Sequence, residues 1–235
     1  MCIDLYWGPT PVSEAIIWCN DILARAPDDR AIEMGIAHAL AHMHARLGNF
    51  ELARSLAARC QEIAAESGQL SSVASLTEVA ADVETLAGDH DAAARIGAVG
   101  CDWFTANGQP HRILEALLAL SQVAAGQPVD VDRLAGLAAT RSGSDVALLD
   151  TALAAAHLRD GALEEAERHA RRSTEFFATT DFLTFHANSA VILGDVLQAT
   201  GRRPEAIVAF QLAKGLYERK GSRVSVELVE ARLAS

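Results

Sequence analysis

Lysine is almost missing from this chain: Lys214 and Lys220 are the only two in 235 residues. Neither belongs to a GxxxxGK[ST] segment, so the phosphate-binding loop of nucleotide hydrolases is excluded. GxSxG, HExxH and the EF-hand loop are absent as well, which leaves catalysis without a recognisable nucleophile, metal helix or calcium loop. The four cysteines, Cys2, Cys19, Cys60 and Cys101, show no CxxC or other metal spacing. They read as reduced thiols of a cytoplasmic protein. Aromatics make up only 5% of the residues. The opening MCIDLYWGPTP lacks the basic and apolar regions of a signal peptide, and no apolar run nears the roughly 20 residues of a membrane span. Basic charge is scarce too. A formal net charge of -11 is the wrong sign for nucleic acid, whose phosphates need a basic footprint.

What the chain does have is alanine, glycine and a period. Half of it is hydrophobic, enough for a sizeable core. Gly48, Gly88, Gly126, Gly161 and Gly201 each end one apolar helical stretch and open another. Seven residues earlier stand Ala41, Ala81, Ala119, Ala154 and Gly194; five later stand Ala53, Ala93, Val131, Ala166 and Ala206. Nine and twelve later, small or apolar residues recur, among them Ala135 and Ala138 in the third unit. The 4-3-4 spacing keeps one stripe of a helix against a neighbour, and a recurring unit of this length marks a helical repeat array. A second breaker closes each unit: Gly68, Gly108, Gly143, Asp181 and Gly221.

The pattern predicts an all-α fold of about 12 helices, over 11–26, 29–47, 50–66, 69–87, 90–107, 109–125, 129–142, 144–160, 163–179, 182–200, 203–220 and 222–234. Connections of two to four residues make neighbours antiparallel. Residues 1–10 are a lead-in. Full repeats cover 28–68, 69–108, 109–143, 144–181 and 182–221, preceded by the single helix 11–26 and followed by a capping helix over 222–235. Helix 11–26 matches the second-helix pattern and has no first helix before it. The chain thus reads as beginning inside a repeat, with apolar surface open to self-association or covered by Tyr6, Trp7, Ile17 and Trp18.

Gly194, Gly201, Ala206, Phe210 and Ala213 reproduce the order of small and aromatic residues of a tetratricopeptide repeat. On these residues the last unit resembles that repeat, and the longer period is similar to the C-terminal arrays of bacterial signalling ATPases, namely nucleotide cyclases with an ATPase module and MalT-like transcriptional activators. The resemblance covers nearly the whole chain and is most specific over 180–221. It implies a right-handed superhelical solenoid whose first helices line a concave groove. Carried over by register, the groove positions are His38, His42 and Arg46 in the first repeat, Glu78 and Asp82 in the second, and Ile113 and Leu120 in the third. Thr151 and Arg159 follow in the fourth, then Asn188, Asp195 and Gln198 in the fifth. Glu84 falls on an inward position, which suggests a slip of one residue in the second unit.

His38 and His42 share one helix face, as two zinc ligands would. No third ligand stands near them in sequence, so they are taken as a polar pair lining the groove, with no metal and no cofactor expected. His44 occupies a core position. Acids just after the turns, such as Asp89, Asp130 and Glu164, suit helix N-termini. The function expected is therefore non-enzymatic: a protein–protein interaction scaffold, the regulatory or sensor arm of a signalling ATPase, cyclase or transcription regulator or a shortened relative, holding a protein or peptide segment in the groove. The alternatives are a small-molecule effector sensor, which a closed cavity would favour, and a self-association module acting through helix 11–26. Neither nucleic acid nor membrane is expected as a partner.

Overall fold

The computed structural model describes residues 5–26, 28–139 and 143–234. Among these residues the fold is all-α, with no strand. The helices are α1 (Val12–Arg25), α2 (Arg30–Arg46), α3 (Phe50–Glu66), α4 (Leu70–Ser75), α5 (Thr77–Ala87), α6 (His90–Ala106) and α7 (Arg112–Ala124). Then come α8 (Val131–Ala138), α9 (Ser144–Arg159), α10 (Leu163–Phe177), α11 (Leu183–Ala199), α12 (Arg203–Lys220) and α13 (Arg223–Ala234). No helix is long and apolar enough to cross a membrane.

The turn glycines behave as the repeat requires. Gly88 and Gly201 sit at φ of 85° and 76°, a left-handed conformation that side chains with a Cβ resist. Asp29, Asp89 and Asp130 cap the starts of α2, α6 and α8 by accepting backbone N–H bonds. Asn49, which precedes α3, makes no capping bond; its amide lies 3.3 Å from His44 Nδ1 instead. The small-residue columns are buried: Ala41, Ala81, Ala119 and Ala154 on the first helices, Ala53, Ala93, Ala166 and Ala206 on the second. Small side chains let the helix axes approach closely, so each turn of helix gains contacts along its length.

Two expectations need correction. The helix expected over 69–87 is broken at Leu76 into α4 and α5, where the Thr77 hydroxyl donates to the Ala74 carbonyl at 2.7 Å. A hydroxyl that competes for a backbone carbonyl weakens the helix locally. In the third repeat the second helix is short, ending at Ala138, and its buried residue is Leu134; Ala135 is exposed and Val131 only half-buried. Leucine outbids alanine for the core because it removes more apolar area from water. Residues 140–142, placed in this helix by the sequence pattern, lie outside the described residues.

Successive first helices touch: α2 packs on α5, α5 on α7, α7 on α9 and α9 on α11. The series then returns on itself. Arg232 of α13 pairs with Asp195 of α11 at 2.9 Å, and α13 also packs on α2, where Arg223 donates to the Leu47 carbonyl. Helices α3, α6, α8, α10 and α12 lie against the first helices that precede them.

The interior of this arrangement is not an empty trough. Leu5, Tyr6 and Trp7 are buried in one core with Ile36, Leu40 and Met43 of α2, Leu148 and Leu149 of α9, Phe177 of α10 and Phe185 of α11. Residues 5–10 of the lead-in thus form a strap threaded between the first repeat and the last. Tyr6 stacks on His42 at 4.5 Å, and Trp7 packs on Phe185 at 4.5 Å. Ile17 and Trp18, expected to help cover the open end, stay on the surface at 66% and 46% exposure.

Candidate functional site

The first and second repeats place two i,i+4 pairs at the same repeat positions, 40 residues apart: His38 and His42 on α2, Glu78 and Asp82 on α5. Helices α2 and α5 pack side by side, so the pairs face each other. His38 Nε2 lies 3.3 Å from Glu78 Oε2 and His42 Nε2 3.4 Å from Glu78 Oε1. His42 Nδ1 lies 2.6 Å from Asp82 Oδ2, which also accepts from Arg46 at 3.1 Å. Arg46 turns a second donation onto the His42 carbonyl at 3.0 Å. His42 and Glu78 are buried, whereas His38 keeps 16% of its side chain exposed.

Burial works against charge in this ladder, and the partners outweigh it. His42 is disfavoured as a cation by burial, yet the facing Glu78 and Asp82 carboxylates raise its pKa above the usual imidazole value. The Glu78 carboxyl, which burial alone would raise, is held far below its ordinary range by His42 and His38. Asp82 is lowered likewise against its burial, by Arg46 and His42. The set is an ion-pair ladder in low dielectric, where each partner is costly to remove.

Beside this ladder is a cavity of about 220 Å³ between α2, α5, α7, α9, α11, α12 and α13. Five residues assigned to the groove from the sequence line it together: Arg46, Asp82, Leu120, Thr151 and Asn188. Tyr217 donates to Asn188 at 2.6 Å, with burial pushing its phenol above the usual pKa. Thr151 shares a 2.6 Å hydrogen bond with Ser173. Two polar atoms of the lining, Thr184 Oγ1 and His90 Nδ1, are buried with no hydrogen-bond partner among the described residues. An unmet buried polar atom costs about 1–3 kcal/mol.

The other assigned residues lie elsewhere. Asp195 reaches the cavity only through Arg232, a lining residue, and burial raises its pKa despite that partner. Gln198 accepts from Arg203 at 3.0 Å, and Arg159 pairs with Asp160 and donates to the Gln127 carbonyl. Ile113 packs against the central core. Glu84 lies between helices, held by two 2.7 Å bonds from Arg54, and the second repeat keeps its register at Glu78 and Asp82. His44 is half-buried as a packed residue, and burial lowers its pKa.

Sequence reasoning missed Lys220 and the strap it holds. Its ammonium donates to the carbonyls of Leu5 at 2.6 Å, Gly8 at 3.0 Å and Thr10 at 2.8 Å. A cluster of the buried Asp150 and His169 with the exposed Arg172 was missed too; His169 Nδ1 lies 2.8 Å from the carboxylate and Arg172 Nε donates to it at 2.6 Å. The recess of about 520 Å³ between α6, α7 and α8 is larger than the cavity, but its Glu115 and Arg133 are committed to each other and its Cys101 thiol is pushed up to about 12 by burial. Among known proteins, no family model matches this chain and no curated protein matches it.

Proposed function

We propose that this chain is a ligand-binding module of the tetratricopeptide-like superhelix type, in which the inner cavity holds a small polar effector. Binding, not bond chemistry, is its work: the sensor arm of a bacterial signalling ATPase, cyclase or transcription regulator, or a shortened relative of one. The observation that carries this is the strap. With Leu5, Tyr6 and Trp7 filling the interior, an extended peptide has no continuous path along the first helices. What is left beside the strap is a chamber of about 220 Å³, the size of an amino acid or a small sugar, lined by both polar and apolar side chains.

The lining carries both signs of charge as two ion pairs, Arg46 with Asp82 and Arg232 with Asp195, which a small zwitterion would bridge. A thermal-shift series with free amino acids, monosaccharides and nucleosides tests this. A ligand at about 100 times its Kd adds about 2.7 kcal/mol, or roughly 5–10 °C in Tm for a domain this size. Asn188→Leu, which fills the chamber, should abolish the shift while leaving the helical circular dichroism unchanged. If no compound shifts the wild type, the effector proposal fails.

A second reading, interaction through the outer face of α1, has its own support in the exposed Ile17 and Trp18. Sedimentation velocity at two concentrations tests it as self-association: a dimer lost in Trp18→Glu supports it, and a monomer at both concentrations removes it.

A further inference from the structure

We infer that His38, His42 and Glu78 form a binding site for a divalent transition-metal ion, with zinc as the best-matched probe. The site adjoins the effector chamber through Asp82 and Arg46, but its three ligands do not line that chamber and it needs no effector. Three observations carry it. The donor atoms, one from each residue, all lie within 4.8 Å of one another, and the two shortest separations from imidazole to carboxylate oxygen are 3.3 and 3.4 Å. A tetrahedral zinc ion with bonds of about 2.0–2.1 Å sets its donors roughly 3.3–3.4 Å apart. The two imidazoles approach different oxygens of the Glu78 carboxylate, so small side-chain shifts bring one donor from each residue onto the ion.

The second observation is an unmet pair. His42 Nε2 and Glu78 Oε1 are both fully buried, and neither has a hydrogen-bond partner among the described residues. They face each other at a distance where a shared cation satisfies both. The third is the shell behind the ligands. His42 presents Nδ1 to Asp82 at 2.6 Å, and Asp82 is fixed in turn by Arg46. A carboxylate on the far nitrogen orients a ligating imidazole and strengthens it as a donor, an arrangement typical of zinc histidines.

Two nitrogens and one oxygen favour zinc, cobalt or nickel over magnesium and calcium, which prefer oxygen alone. Three protein ligands leave a fourth position for water. The ion would tie α2 to α5 directly beneath Tyr6, whose ring stacks on His42.

The full-length protein, stripped with chelator and dialysed against zinc at pH 7.5, should take up one equivalent, whereas magnesium and calcium should not compete. His38→Gln and Glu78→Gln should each lower affinity by at least 10-fold, and Asp82→Asn by about 10–100-fold. His38→Gln is the mildest change, because that side chain is part exposed. Cobalt in place of zinc gives the intense visible bands of a tetrahedral ion, and here it should lack the thiolate charge-transfer band that cysteine ligands would add. This spectrum decides the matter on the wild type even if every variant misfolds. No zinc uptake overturns the site, as does uptake that survives His38→Gln and Glu78→Gln or carries a thiolate band.

Discussion

Lys220 is the residue on which the interior turns. It is fully buried, with three backbone carbonyls as acceptors, and burial, with Arg46 near, pulls its pKa down to about 7, above which the neutral amine has only two N–H for the three carbonyls. Lys220→Met leaves three carbonyls without a donor and should cost at least about 1–3 kcal/mol in denaturant unfolding. Lys220→Arg should not restore it, because a planar guanidinium cannot aim three donors into a cage built for an ammonium. The pH dependence has a definite sign. Between about pH 7 and the ordinary lysine range near 10.4, the unfolded chain holds a proton that the native chain has released. Wild-type stability should therefore climb with pH across that window relative to Lys220→Met, and a flat difference between the two would show that the amine stays charged when folded. None of this was legible in the sequence, since the cage is built by residues about 210 positions away. The histidine–carboxylate ladder was half legible: i,i+4 spacing gave each pair, and the 40-residue period gave their register. That the pairs meet, and that Glu78 supplies the third donor absent near the histidines, depends on how α2 packs on α5.

At the scale of the element, glycine marks both where helices end and where they touch. The helix boundaries were legible because left-handed glycines end so many of them, and because buried alanine columns follow at fixed offsets. The break at Leu76 was not, since it answers a neighbour. A Cβ on Gly100 of α6 would fall 2.5 Å from the Ala74 carbonyl oxygen and closer still to the Thr77 hydroxyl, so α6 lies directly against the break. Gly100→Ala should destabilise by about 1–3 kcal/mol despite alanine's better helix propensity, because the obstruction is backbone. Gly215 of α12 meets nothing within 4 Å. Gly215→Ala should then stabilise by about 0.5–1 kcal/mol. The pair of melts separates packing from propensity in one experiment: if both variants stabilise, the contact between α6 and the break is looser than these distances require.

For the whole molecule, the strap converts a series of neighbours into a closed unit. A repeat array is held by nearest-neighbour interfaces, and its ends can fray independently. Here Trp7 lies against Phe185, its carbonyl accepts from Thr184 N–H at 3.3 Å, and Lys220 grips the carbonyls on either side. The first and last repeats therefore share one core, reinforced where Arg223 reaches the Leu47 carbonyl. The sequence offers Tyr6 and Trp7 as cover for the open end of the first repeat, but no period assigns them a face, so their place between the first and last repeats was not legible. Trp7→Ala should cost about 3–5 kcal/mol, the range for a large buried aromatic, and should raise binding of an apolar dye. Closure has a sharper consequence in a double-mutant cycle. If Trp7 and Lys220 hold the same strap, releasing it once removes most of what the second substitution has to lose. The combined variant should then be less destabilised than the sum of the two by about 0.5–3 kcal/mol. Denaturant melts of the wild type, the two single variants and the double variant measure that coupling. Strict additivity would mean that the tryptophan and the lysine stabilise separate regions and that the ends of the array open independently.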